Sequence, residues 1–171
     1  MGKYINFLKE TELFYNLTQE QLEQVEAICE VVDYDKGTVI VAESSREDEL
    51  YLILRGEAEV LIDPSLVQTR QTTTTEPHIV SILRRGQSFG EIALVDQGVR
   101  SASVRCSLRN TRMLRIARQR LLDLCETNPQ LGYRVLFNLA ADLAQKIRNS
   151  DLRIREALLS QQFTRRNKEK A

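Results

Sequence analysis

The chain has no tryptophan, one histidine, three cysteines and three prolines in 171 residues. Each scarcity closes a possibility. A lone histidine, His78, and no closely spaced cysteines exclude a Cys/His metal centre, which needs several such ligands at one locus. No Ser/His/Asp constellation is recognisable either, because that histidine stands just after a threonine-rich stretch, Thr72–Thr75. No enzymatic activity and no catalytic cofactor are therefore expected. Cys29, Cys106 and Cys125 are far apart and odd in number, the pattern of small buried hydrophobes in a reducing compartment, so a cytoplasmic location is expected. Lys9, Glu10 and Glu12 interrupt the apolar runs at the N-terminus, which removes a signal-peptide pattern. No stretch approaches the roughly 18 apolar residues of a membrane span. With 24 basic and 24 acidic side chains, no whole-chain field draws the protein to nucleic acid or membrane.

What is present divides into three parts. Residues 4–30 read as helical: Leu13, Phe14 and Leu17 form an apolar patch, and Thr18 caps a helix whose Leu22, Val25 and Ile28 recur every third position. Residues 31–117 read as short β-branched strands separated by turns such as Asp35-Lys36-Gly37 and Arg85-Gly86. Examples are 38–42, 50–54, 57–62, 79–83, 101–106 and 112–116. Their number and spacing point to a closed or double-layered β structure. Residues 63–78 read as a polar surface loop. A short helix is expected over 118–126. A long one then begins at Pro129 with Asn128 as its cap, and runs to about Gln162. Along it Leu136, Ala140, Leu143, Ile147, Ser150, Ile154 and Ala157 alternate four- and three-residue steps, a seam for a second copy of the chain. Leu131, Val135 and Leu139 lie beside the seam and face the β domain. The charged end of the chain is expected to fray.

The segment Phe89–Val104 carries the most chemistry. Gly90 gives the backbone room for a close approach. Residues 91–95 then start a short helix whose free amides suit an anion. Arg100 offers a planar fork that meets two phosphate oxygens at once. Glu91 would repel a phosphate, so its natural use there is to accept a hydroxyl such as a ribose 2′-OH. Ser101 adds a hydroxyl. Residues 83–120 hold nine arginines and no lysine against Glu91 and Asp96. Most of these arginines read as a solvated face, and only Arg100 lies inside the motif. Glycine and glutamate alone carry little information; an ion pair between Glu91 and Arg100 would explain them equally well. The full spacing of Gly-Glu-Ile-Ala-Leu, five residues, then Arg-Ser-Ala-Ser-Val is far harder to reach by chance.

With those residues in place the sequence resembles the cyclic nucleotide-binding domain shared by the catabolite activator protein, the regulatory subunits of cyclic-AMP-dependent kinase and cyclic-nucleotide-gated channels. Phe89–Val104 is similar to that family's phosphate-binding cassette. Tyr34–Ile40, Leu50–Gly56 and Arg85–Glu91 resemble its successive β-roll signatures, and Asn128-Pro129 the start of its C-terminal helix. The resemblance implies an α+β fold, mainly β: a jelly-roll (β-roll) flanked by N-terminal helices and a long C-terminal helix. It implies a sensing domain over 1–127 and a lid and dimerisation helix with a charged tail over 128–171. It also implies that Arg100 binds the cyclic phosphate, helped by Gly90, Ser101 and the amides of Ile92, Ala93 and Ala102. Glu91 accepts the ribose hydroxyl, and Val60, Val80 and Leu83 pack the base. Gln145, Lys146 and Asn149 are candidates from the helix for the base edge, or else simply solvated. The implied ligand is cAMP, with cGMP as the alternative.

Two departures shape the remaining expectations. Where the family has a glycine between Glu43 and Asp48, Ser44-Ser45-Arg46 stand here, which is expected to alter a loop and leave the pocket alone. The helix position of the catabolite activator protein's arginine, which approaches the cassette glutamate, falls near Asp142. Two carboxylates there would repel, so a different docking of the lid is expected. The few charged residues after the helix leave no room for a helix-turn-helix, so direct DNA binding is not expected. The function implied is a cytoplasmic cyclic-nucleotide sensor, a homodimer through the 130–160 helix, passing its state to a downstream protein. The alternatives are an interaction module with a vestigial or different anion pocket, or a fragment of a larger cAMP-responsive regulator.

Overall fold

The computed structural model describes residues 2–63, 76–96 and 99–168, apart from the side chains of Ala93 and of residues 161–168. Most of the expected polar loop, including the four threonines, lies outside the described residues. Helices α1 (Ile5–Glu10) and α2 (Gln19–Ala27) come first. Thr18 caps α2 as expected: its hydroxyl accepts from the amide of Gln21, whose side chain accepts in return from the amide of Thr18.

Eight strands follow: β1 (Cys29–Tyr34), β2 (Val39–Val41), β3 (Leu50–Arg55), β4 (Ala58–Ile62), β5 (His78–Leu83), β6 (Ser88–Phe89), β7 (Ser103–Cys106) and β8 (Thr111–Ile116). They form two antiparallel four-stranded sheets in the orders β1-β8-β3-β6 and β2-β7-β4-β5, a jelly-roll. Strand β3 shows why the sheets stack. In a strand alternate residues face opposite ways, and here both faces are covered. Tyr51 and Ile53 point between the sheets with Val41, Phe89, Val104 and Met113. Leu50 and Leu52 point outward into a second core, with Leu114 and Ile116, under the helices.

Two strands lie outside the six named from sequence. β6 is only two residues long. β1 carries Glu30 and Asp33 on a solvent-facing edge, and their partners lie directly opposite on β8. Asp33 accepts from Arg112 at 2.7 Å and Glu30 from Arg115 at 2.6 Å. Arg84 and Arg105 pair in turn with Glu57 and Glu59. The arginine surplus of residues 83–120 is thus largely spent on such ion pairs, and only Arg100 turns inward.

A short helix, α3 (Ile92–Asp96), interrupts the strands, and α4 (Arg118–Thr127) follows them. The last helix, α5 (Pro129–Lys168), has 40 residues and is about 60 Å long at 1.5 Å per residue. Asn128 caps it, its Oδ1 accepting from the amide of Leu131 at 3.2 Å. The helix continues six residues past the expected end at Gln162. Leu131, Val135 and Leu139 are buried in the core shared with α1, α2, α4 and the outer face of β3, as expected. Asn138 fixes the helix rotation further: its Nδ2 donates to the carbonyls of Leu13 at 3.0 Å and Tyr15 at 2.8 Å. Among the described residues no helix is long and apolar enough to cross a membrane.

Candidate functional site

Strands β4, β5 and β7, the segment after β6, α3 and the middle of α5 enclose a cavity of about 420 Å³. Val60, Val80, Leu83, Gly90, Glu91, Ile92, Arg100, Ser101 and Ala102, all singled out from sequence, line it. Ala93 lies in the second position of α3, with its side chain outside the described residues. Of the three helix candidates, Lys146 and Asn149 line the cavity. Gln145 does not; it turns to solvent and donates to Asn149 at 3.0 Å. Ser150 and Arg153 also line the cavity, although the seam pattern placed Ser150 elsewhere and gave Arg153 no role. The signal for both was in the sequence: positions 146, 149, 150 and 153 share one helix face.

Arg100 is held from its backbone outward. Its amide donates to the carbonyl of Ser45 at 2.9 Å, and its carbonyl accepts from the amide of Ser44 at 2.8 Å. Nη2 donates to the carbonyl of Glu49 at 2.7 Å, and Nη1 to that of Gly90 at 3.2 Å. So Arg100 is not paired with Glu91. The Ser44-Ser45 loop, whose departure from the family was expected to leave the pocket alone, is instead one of its supports. Gly90 has a tighter role than expected. At φ +86 a Cβ would sit 2.5 Å from the carbonyl of Glu49 and 2.6 Å from Nη1 of Arg100. The glycine makes room for the arginine.

Arg100 is only 5% exposed, yet its Nε has no hydrogen-bond partner among the described residues. A buried charged donor without an acceptor is costly. An anion in the cavity would supply the acceptor that the described residues lack.

Glu91 is equally buried and faces the lid helix. Lys146 Nζ lies 2.9 Å from Glu91 Oε1 and 2.9 Å from Asp142 Oδ2. The carboxylate repulsion expected between Glu91 and Asp142 is thereby cancelled by an intervening cation, and α5 of the same chain docks over the pocket. Burial of the Lys146 ammonium opposes its charge, but Glu91 and Asp142 outweigh that and raise its pKa. The cavity therefore has a cationic end with a spare donor, a carboxylate shared with the lid, and apolar walls at Val60, Val80 and Leu83. It suits a small anion that also carries hydroxyls and a flat apolar body.

The family model for the cyclic nucleotide-binding domain matches residues 31–128, more than half of the chain. The chain belongs to this family. Cyclic nucleotide-binding relatives include cGMP-dependent protein kinase 2 of Homo sapiens, 31% identical over 106 residues that cover 60% of this chain and 12% of the kinase. The chain thus spans about an eighth of the length of that relative. A solved cyclic nucleotide-binding domain from Methylobacillus flagellatus superposes with a TM-score of 0.74 at 24% identity, covering 90% of this chain and 85% of that one. The catabolite activator protein of Thermus thermophilus superposes at 0.69 with 29% identity, covering 88% and 63%. The family is defined by a binding domain, and the cavity just described lies within the cyclic nucleotide-binding segment except for its lid from α5.

Proposed function

We propose that the chain is a regulatory sensor of a 3′,5′-cyclic purine nucleotide, in which ligand binding and the docking of α5 are coupled. The observation that carries this reading is the buried Arg100, which lines the cavity and whose Nε has no hydrogen-bond partner among the described residues. Arg100 takes the cyclic phosphate, with Gly90 giving it room and Ser101 and the amides of Ile92, Ala93 and Ala102 as further donors. The ribose 2′-OH donates to Glu91, and Val60, Val80 and Leu83 pack the base. No chemical step is assigned to the chain. Residues 1–127 act as the sensing unit and 128–171 as lid and dimerisation element.

Coupling follows from Lys146. A ribose hydroxyl must share Glu91 with the ammonium that tethers the lid, so the nucleotide interacts differently with the docked and undocked helix. A ligand shifts a conformational equilibrium only through such a difference. The helix then presents an altered surface to a second copy of the chain and to a downstream protein in the cytoplasm. cAMP, favoured by the sequence, and cGMP share everything that Arg100 and Glu91 touch. The choice between them falls to the base end of the pocket.

Calorimetry tests the reading. Wild-type protein is expected to bind cAMP or cGMP at micromolar concentration or below. Arg100→Leu should lose at least tenfold, since charge-assisted hydrogen bonds contribute about 1.5–3 kcal/mol each. Absence of heat with every cyclic mononucleotide would sink it.

A further inference from the structure

Lys146 and Arg153 stand at opposite ends of one cavity. Both project from the pocket-facing side of α5, with Asn149 and Ser150 between them. Lys146 closes the end that holds Glu91. Arg153 lies about 10 Å farther along the helix axis, over the end lined by Ile62, Val80 and Ser81. Its Nη1 donates to the carbonyl of Val80. The strand register explains why that carbonyl is available. β4 pairs Val60 with Ser81 and Leu61 with Ile79, so Val80 is skipped in the ladder. A bulge at the edge of the sheet thus supplies a perch for the guanidinium at the mouth of the pocket. Among the described residues no carboxylate forms an ion pair with Arg153.

We propose that Arg153 reads the six-position edge of the purine and makes this pocket favour a guanine over an adenine cyclic nucleotide. It rests on the cyclic-nucleotide reading of the same pocket, and it departs from the sequence-based expectation of cAMP. With phosphate at Arg100 and ribose at Glu91, the base runs along Val60, Val80 and Leu83. The edge farthest from the sugar then faces Arg153. In guanine that edge carries two acceptors, O6 and N7; in adenine the six-position is an amino donor. A guanidinium has five N–H donors and no acceptor. It can exchange the Val80 carbonyl for O6, or for O6 and N7 together, whereas the adenine amino group opposes it. Asn149 and Ser150 both donate and accept, so they tolerate either base.

The test is calorimetry on the full chain with cGMP, cAMP and cyclic IMP, for wild type and Arg153→Gln. Cyclic IMP keeps O6 and N7 and lacks the 2-amino group. Wild type is expected to bind cGMP and cyclic IMP on the order of tenfold more tightly than cAMP, the discrimination typical of a guanidinium on a guanine edge. Arg153→Gln, which offers both a donor and an acceptor, should erase most of that difference by weakening cGMP and cyclic IMP and tightening cAMP, whose amino group then meets an acceptor in place of a guanidinium. Arg153 is exposed on a helix that does not depend on it for its core contacts, and thermal melting of the variant verifies that it folds. Equal wild-type affinities, or a preference unchanged in Arg153→Gln, overturn the assignment. Cyclic IMP binding as weakly as cAMP also overturns it, because the preference would then lie with the 2-amino edge. If no cyclic mononucleotide binds, the cyclic-nucleotide reading itself falls and the assignment falls with it.

Discussion

The amide of Ser44 donates to the carbonyl of Arg100 at 2.8 Å, which makes a loop residue part of the anchor for the buried arginine. Ser44 does this at φ +66, a left-handed conformation that costs an L-residue about 1–2 kcal/mol. A glycine relieves that strain but loses about 0.5–1 kcal/mol to its freer unfolded state. Ser44→Gly is therefore expected to stabilise the protein by about 0.5 kcal/mol in urea unfolding, with nucleotide affinity unchanged or improved. Ser44→Val should move both in the other direction, because a β-branched residue fits this region worst. Equal effects of the two substitutions would separate the loop from Arg100.

The Lys146 ammonium makes a second prediction with a definite sign. Lys146→Met leaves Glu91 buried beside Asp142 with no cation between them. Losing one partner of a fully buried pair costs about 3–5 kcal/mol. Lys146 is partly solvated, so about 1–2 kcal/mol is expected here. Adding Asp142→Asn to Lys146→Met should recover part of that loss. The pKa of Lys146 is raised in the folded protein, so its contribution is fully present below the ordinary value of 10.5 and is lost as pH rises through the higher folded value. Urea unfolding should give a constant difference between wild type and Lys146→Met across the neutral range, narrowing only in strong alkali. A difference that disappears near neutrality would mean that the contact does not hold the lid.

The sequence made the cassette legible because its information is local: Gly90, Glu91 and Arg100 sit at a spacing that few other tasks require. The longer strands were legible through their β-branched runs, and α5 through its uninterrupted pattern. What escaped depends on distant partners. β1 looks too acidic for a strand until Arg112 and Arg115 are placed opposite Asp33 and Glu30. Asp142 looked like a clash with Glu91 because the rotation of α5 decides whether residue 142, 145 or 146 faces the pocket. That rotation is set by Leu131, Val135, Leu139 and the two hydrogen bonds of Asn138. Ser44 and Ser45 looked peripheral because nothing local joins them to Arg100.

The outer stripe of α5 carries the prediction about assembly. Leu136 is 50% exposed, Ile147 63% and Ile154 57%, although Leu131, Val135 and Leu139 on the inner side are buried. Fully covering one such side chain is worth about 1.5–3 kcal/mol, and a parallel partner helix would cover several at once. Light scattering coupled to size exclusion is expected to give twice the 19.7 kDa chain mass at micromolar concentration. Leu136→Glu combined with Ile154→Glu should shift it to the single-chain mass. Neither residue lines the pocket, so the monomeric variant is expected to keep its Arg100-dependent nucleotide binding. Wild-type protein that stays at the single-chain mass up to about 100 µM, far above the nanomolar to micromolar range of specific dimers, would overturn the homodimer.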